Sequence, residues 1–298
     1  MEKWMLIYDT KCKKKKEAEE AASKIDISID DQYDYSQTGT KENKRYLVRY
    51  IIEADNESEA KEKGIKANAP NCVFKEAKQI EYLDGNEVKK IIKHTEFDSD
   101  NTKPKILILG TRITKKSIEA GYYYLGVENN PFWRILSKVF DKPNFIDDHG
   151  NPNSLDQIID AQRKHNVVVS DLIYSCYCAG SSDEETIVDF DKYDITNPVC
   201  NYSDLGELIS KADLVILNGG FSCKKKKTGT LNFLHTFYKT VINSNKNKVF
   251  ERGYIIVNKK STNYISLPST SESNTTANEA KKIDAWKREI SRELTLIK

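Results

Sequence analysis

"ILILGTRITKKS", residues 106–117, sets the reading of the rest of the chain. Four large apolar residues run without polar alternation into Gly110, the pattern of a strand covered on both faces, as in parallel sheets. The same pattern returns in "NVVVSDLI" (166–173) and "DLVILNGG" (213–220), and "RGYIIVNKK" (252–260) is a fourth strand candidate. Between and after them the apolar spacing predicts helices over 129–140, 205–212, 230–241 and 276–294. Alternating strands and helices imply an α/β fold, a three-layer α/β/α sandwich with a mostly parallel central sheet. Ligands of such sheets sit at the carboxyl ends of the strands.

Upstream the pattern changes. "WMLIYDT", "RYLVRYIIEA" and "CVFKEAKQIEYL" read as strands, with a weaker one over 27–35. "KKKKEAEEAASKI" and "NESEAKEKGIKANA" read as helices, the second with Asn56 as its N-cap. The order β-α-β-β-α-β is that of a small ferredoxin-like α+β unit, an architecture many functions share. Residues 1–92 are therefore expected to form an accessory domain that grips substrate, contacts DNA or binds a protein partner. Polar residues 93–104, with Pro104, form the expected linker, and 105–298 the main domain.

Composition narrows the class. Hydrophobic residues make up 38% and charged residues 31% of the 298, enough for a core and too polar for a membrane protein. No apolar run reaches the roughly 18 residues of a spanning helix, and the first residues lack a signal-peptide pattern, so the expected location is the cytoplasm. Six cysteines are scattered, with only Cys176 and Cys178 close in sequence, and four histidines form no zinc or triad pattern. Neither a metal cluster nor a cofactor is expected. Residues 1–100 carry a formal charge of −3 and residues 101–298 one of +5. Lys224 and Lys225 begin a run of four lysines, which is either a solvated loop or, beside a groove, a phosphate contact.

The strand ends supply the candidate site. Gly110 lacks the following glycines of a dinucleotide loop, which excludes that cofactor fold. Asp171 falls at a buried strand, where a carboxylate must be paired or hydrogen-bonded; an N-cap or loop anchor would also use it. Asn218 with two glycines lets backbone approach a ligand, or simply makes a tight turn. "LPSTSESN" offers Ser269, Thr270, Ser271 and Asn274 to phosphate oxygens. "GYYYLGVENNPFWRIL", residues 121–136, adds Tyr123, Tyr124 and Phe132, an aromatic group suited to wall a pocket for something flat.

Taken in order, "LILGT", "YYY…NNPFW", "VSDLIYSC", "LVILNGGFS" and "LPSTSESN" resemble the uracil-DNA glycosylase superfamily, nearest its hypoxanthine and mismatch-specific branch. The resemblance covers about 105–298. It implies that Gly110, Thr111 and Arg112 cradle the sugar and attacking water, and that Tyr123 or Tyr124 lines the base pocket. It also implies that Asn130 holds the water or sugar, that Asp171 reads the base edge and that Asn218 belongs to a structural Asn-Gly element. Ser269, Thr270 and Ser271 would compress the phosphate backbone. Two departures argue against plain uracil as substrate. The run Gly-Thr-Arg-Ile-Thr lacks the acid, amide or proline of many relatives, and Leu267 stands where the uracil-specific branch has histidine. Glu128 is then a substitute general base, and Arg112 clamps a phosphate or a polar group on an enlarged base. The expected activity is a monofunctional DNA glycosylase that flips out and excises a hypoxanthine-like or phage-type modified base, in repair or antiphage defence. The competing expectation is a DNA-binding module that kept the fold and lost the chemistry.

Overall fold

The computed structural model describes residues 2–25, 33–38, 45–67, 69–88, 97–98, 102–126, 131–141, 144–179, 186–187, 199–200, 202–219, 230, 234–235, 238–242, 250–270 and 278–297. The chain divides into two compact units. One is Met1–Leu83 with Cys176–Pro198, and the other is Asp84–Ser175 with Val199–Lys298. The division therefore precedes the expected 93–104 linker. Residues 98 and 103 are held in the second unit, where the Asp98 amide donates to Asn166 Oδ1 and Asn166 Nδ2 donates to the Lys103 carbonyl.

In the first unit β1 (Glu2–Asp9), β2 (Tyr33–Thr38), β3 (Arg45–Ala54) and β4 (Val73–Asp84) lie in the order β4-β1-β3-β2, every pair antiparallel. Helices Lys15–Ala22 and Glu57–Lys66 follow β1 and β3, so the expected β-α-β-β-α-β order is present. Asn56 caps the second helix by accepting from the Glu59 amide at 3.0 Å, which satisfies one of the amides a helix start leaves open. Buried tyrosines on the strands fasten both helices. The Tyr8 hydroxyl donates to the Gly64 carbonyl at 2.9 Å and the Tyr50 hydroxyl to the Ala22 carbonyl at 2.8 Å. Gly64 must stay small, since a Cβ there would lie 2.4 Å from the Phe74 ring.

The second unit is α/β with a mixed sheet. Its strands are β5 (Ile106–Arg112), the first part of β6 (Val167–Ala179), β8 (Val199–Cys200), β9 (Leu214–Asn218), β10 (Lys239–Ile242), β11 (Arg252–Val257) and β12 (Lys260–Leu267). The short β7 (Thr186–Ile187) pairs with the end of β6 in the first unit. Strands β12-β9-β5-β6 are parallel, as their apolar runs suggest. The expectation of a mostly parallel sheet is corrected: β10-β11, β11-β12 and β8-β6 all pair antiparallel, as many pairs as are parallel, so the sheet is mixed. The strand read from "RGYIIVNKK" is β11, and it doubles back through Asn258 and Lys259, both at positive φ (51° and 66°), into β12. That is the backbone of a two-residue hairpin turn whose twist matches its strands.

The expected helix over 230–241 is likewise corrected, because Lys239–Ile242 is strand β10. Lys115–Glu119 and Leu155–His165 are helices that the apolar spacing does not predict. The second carries a full capping box: Ser154 accepts from the Gln157 amide and Gln157 reaches back to the Ser154 amide. It ends at Asn166, φ 54°, whose carbonyl accepts from the Ile106 amide and so starts β5. The helix Phe132–Val139 packs on the long helix Glu279–Ile297, and Arg134 joins them by two bonds to Glu279 at 2.8 and 2.6 Å. Among the described residues no helix is long and apolar enough to cross a membrane.

Candidate functional site

Register alone assembles one row of residues across the parallel strands. Leu267 on β12 pairs with Asn218 on β9, and Gly110 on β5 pairs with Asp171 on β6. Gly110 follows Leu109, which pairs with Leu217. The row Leu267, Asn218, Gly110, Asp171 thus crosses the sheet at the carboxyl ends of β12 and β9 and near that of β5, whereas β6 runs on past Asp171 to Ala179. Between β5 and β9 the strand order reverses, since the chain goes from β5 outward to β6 and returns to place β9 on the other side of β5. Open α/β sheets bind ligands at such a reversal.

Over this row the side chains converge. Asn218, 7% exposed, spends its amide inside the protein: Nδ2 donates to the Tyr124 hydroxyl at 3.2 Å and to Thr270 Oγ1 at 3.1 Å, while Oδ1 accepts from the Thr270 amide at 2.9 Å. It thereby joins β9, the loop after β12 and the aromatic segment. Thr111 meets Thr230 at 2.8 Å, and Thr230 donates to the Asn218 carbonyl at 3.1 Å. Gly219 takes φ 95° beside Ser269, and a Cβ on it would lie 2.9 Å from Ser269 Cβ. Arg112 donates to the Ile113 carbonyl at 3.1 Å and lies near enough to Asp171 to favour its charged form.

Asp171 is the one carboxylic acid of this row, and it is buried. Loss of water pushes its carboxyl up to about 7, with the Arg112 guanidinium opposing that rise. Gly110 lies directly under it: a Cβ there would meet Asp171 Oδ1 at 1.9 Å and the Tyr124 hydroxyl at 2.2 Å. The acid and the phenol are therefore brought together because residue 110 has no side chain.

The raised proton affinity fixes a pH dependence. An unfolded aspartate titrates near 3.9, so between about pH 4 and 7 the folded chain holds a proton that the unfolded chain has lost. Stability from this group is fully present below pH 4, falls as pH rises to 7 and is level above it. The expected slope difference between the wild type and Asp171→Asn approaches about 1.4 kcal/mol per pH unit in that window. Urea midpoints of both proteins from pH 4 to 8 check it; parallel curves would show that Asp171 is not a buried titrating acid.

The aromatic segment is split in its roles. Tyr122 and Tyr123 are core, 0% and 1% exposed. The Tyr122 hydroxyl accepts from Gln162 Nε2 at 2.9 Å. The Tyr123 hydroxyl lies against Ser170 and the Asp171 backbone without a well-formed hydrogen bond, and burial raises its proton affinity. Tyr123 therefore backs the site from within and does not form an open wall. Tyr124 is half-buried, and its ring stacks on the buried Phe132 with centroids 3.8 Å apart and planes 15° from parallel. Its amide is held by Ser117 Oγ at 3.2 Å, and Ser117 is set by the Thr114 cap. Ser117, Gln162 and Thr230 were not singled out from the sequence; the Thr-x-x-Ser spacing at 114–117 and the Ser154 capping box were the available signals.

Of the expected site residues, Thr111, Asp171, Tyr124, Phe132, Asn218, Ser269 and Thr270 come together here. Asn130, Glu128, Ser271, Asn274, Lys224 and Lys225 lie outside the described residues. Among the described residues no group of three or more histidine, cysteine or acidic side chains could hold a metal. No protein-family model matches the chain, and no curated protein matches it.

Proposed function

We propose that the chain is a DNA glycosylase with the three-layer architecture of the uracil-DNA glycosylase superfamily, acting on a damaged or modified base. The observation that carries the reading is the buried acid Asp171 beside Gly110, Tyr124 and Asn218 at the strand-order reversal. Breaking an N-glycosidic bond places negative charge on the departing base and positive charge on the sugar. An acid poised near neutral pH can donate to, or accept from, the edge of an extruded base. Thr111 and the Ser269-Thr270 turn stand at neighbouring strand ends, where the sugar and flanking phosphates would lie. Asn130 and Glu128 remain the proposed holders of the attacking water. The chemistry asks for no metal or cofactor, and the cost of flipping the base, a few kcal/mol, would be met by phosphate contacts and stacking.

The test is a panel of duplexes bearing uracil, hypoxanthine or a hypermodified pyrimidine, incubated with protein and then treated with alkali to cut abasic sites. Cutting is expected on at least one modified duplex. Asp171→Asn should slow single-turnover release about a hundredfold or more, with duplex affinity held within twofold. Salt-dependent duplex binding with no abasic site on any member would overturn the enzyme reading. It would favour a DNA-binding module, a reading supported by the Tyr124 ring already lying on Phe132.

A further inference from the structure

Tyr124 is built as a ligand would be. Its ring lies flat on Phe132 at 3.8 Å, and Phe132 is itself fully buried beneath it. Its polar tip receives the Asn218 amide at 3.2 Å and crowds Asp171 Oδ1 over Gly110. The two centroids lie closer than the roughly 4.5–7 Å usual for aromatic pairs, so the ring faces overlap almost fully. The backbone that puts it there is costly: Tyr124 sits at φ 58°, a left-handed conformation that bulky residues rarely adopt and that persists only when the surroundings enforce it. The enforcing contacts are the Ser117 hydroxyl on its amide and the Asn218 amide on its hydroxyl.

We infer that Tyr124 is an intrinsic plug, filling a ring-shaped slot between Phe132 and the Asn218–Asp171 edge that a planar aromatic ligand with a polar edge occupies once the tyrosine turns away. The inference rests on the proposed base-binding site but asks nothing of DNA or catalysis. Opening exchanges one ring stack and one hydrogen bond for equivalents made by the ligand. Release of the left-handed backbone lowers the cost of opening, and the closed form stays the populated one. The plug also sets a rule of selection, since an entering ring must replace both the stack on Phe132 and the bond from Asn218.

Truncation to glycine removes the ring and tolerates the left-handed backbone. The ring-sized space left in this way has the Phe132 face on one side and the Asn218 amide at its polar edge, and the matching probe is p-cresol, the side chain of tyrosine itself. In Tyr124→Gly, p-cresol is expected to bind saturably and to raise the melting temperature by about 4 °C at ten times its dissociation constant. The wild type, its slot filled, should shift by less than a quarter as much. Should the variant lose its near-ultraviolet circular dichroism in plain buffer, saturating p-cresol should restore it. Equal shifts in both proteins, no saturable shift in a folded variant, or an unfolded variant that p-cresol does not rescue would each overturn the plug. A glycosylase assay that fails while p-cresol binds would remove the proposed activity and leave the slot standing.

Discussion

Alanine at position 110 is expected to destabilise the second unit by about 3 kcal/mol, the upper end of the usual cost of overpacking a core. One methyl group does this because two oxygens already occupy its place: Asp171 Oδ1 at 1.9 Å and the Tyr124 hydroxyl at 2.2 Å from the added carbon. Neither can yield easily. Asp171 is 3% exposed and sits on a central strand, and Tyr124 is tied to Asn218 and stacked on Phe132. The cause can be separated from any general intolerance of β5. In an Asp171→Ala, Tyr124→Phe background both oxygens are gone, and the same glycine-to-alanine change should cost less than about 1 kcal/mol. It should even stabilise slightly, because glycine in a strand interior costs about 0.5–1 kcal/mol relative to alanine. Urea midpoints of the four proteins give the coupling directly. A cost that persists unchanged in the relieved background would mean that something other than these two oxygens requires glycine.

That contact also shows what could be read from the sequence and what could not. The apolar runs 106–109, 167–169 and 214–217 announced buried parallel strands because each run is local. The order of the first unit was legible for the same reason: alternation, helix formers and the Asn56 cap are short-range signals. Register is not local. Only when β5 pairs with both β6 and β9 does Gly110 come under Asp171 and alongside Asn218. The strand β10 was misread as the end of a helix because Leu234, Tyr238 and Val241 keep helical spacing, whereas its pairing with β11 is a distant choice. Three adjacent tyrosines likewise carry no mark of which face inward. The bond between Tyr122 and Gln162 and the left-handed turn at Tyr124 decide it, and both depend on the assembled fold.

The second large effect is expected far from the strand ends, at Arg252. This side chain is 5% exposed on β11 and meets two equally buried acids of the helix Glu279–Ile297. Nε donates to Glu293 at 2.5 Å, Nη2 donates to Glu289, and Nη1 donates to the Phe250 carbonyl at 3.1 Å. Arg252→Met keeps most of the packing volume and removes the charge, leaving Glu293 and the Phe250 carbonyl without this donor, while Glu289 keeps only the bond from Arg288 Nε at 2.8 Å. A loss of about 3–5 kcal/mol is expected, the range for breaking a buried ion pair from one side. Removing all three charges, as Arg252→Met with Glu289→Leu and Glu293→Leu, should recover most of it, because well-packed apolar residues replace such networks at little net cost. The deficit of the single variant should also hardly change between low and high salt, since buried pairs are poorly screened. The exposed pairs Lys61–Glu57, Lys63–Glu59 and Lys66–Glu62 on the helix Glu57–Lys66 should each contribute little and fade with salt. The helix Glu279–Ile297 also holds the site from behind: its Trp286 donates at 3.0 Å to the carbonyl of Pro268, the residue before Ser269 and Thr270. In Arg252→Met, amide hydrogen exchange should therefore quicken at Thr270, whose amide is held by Asn218, as well as along Glu279–Ile297. Faster exchange confined to the helix, with Thr270 unchanged, would show that the strand-end loop is fixed by Asn218 alone and that the helix contributes stability without positioning the site.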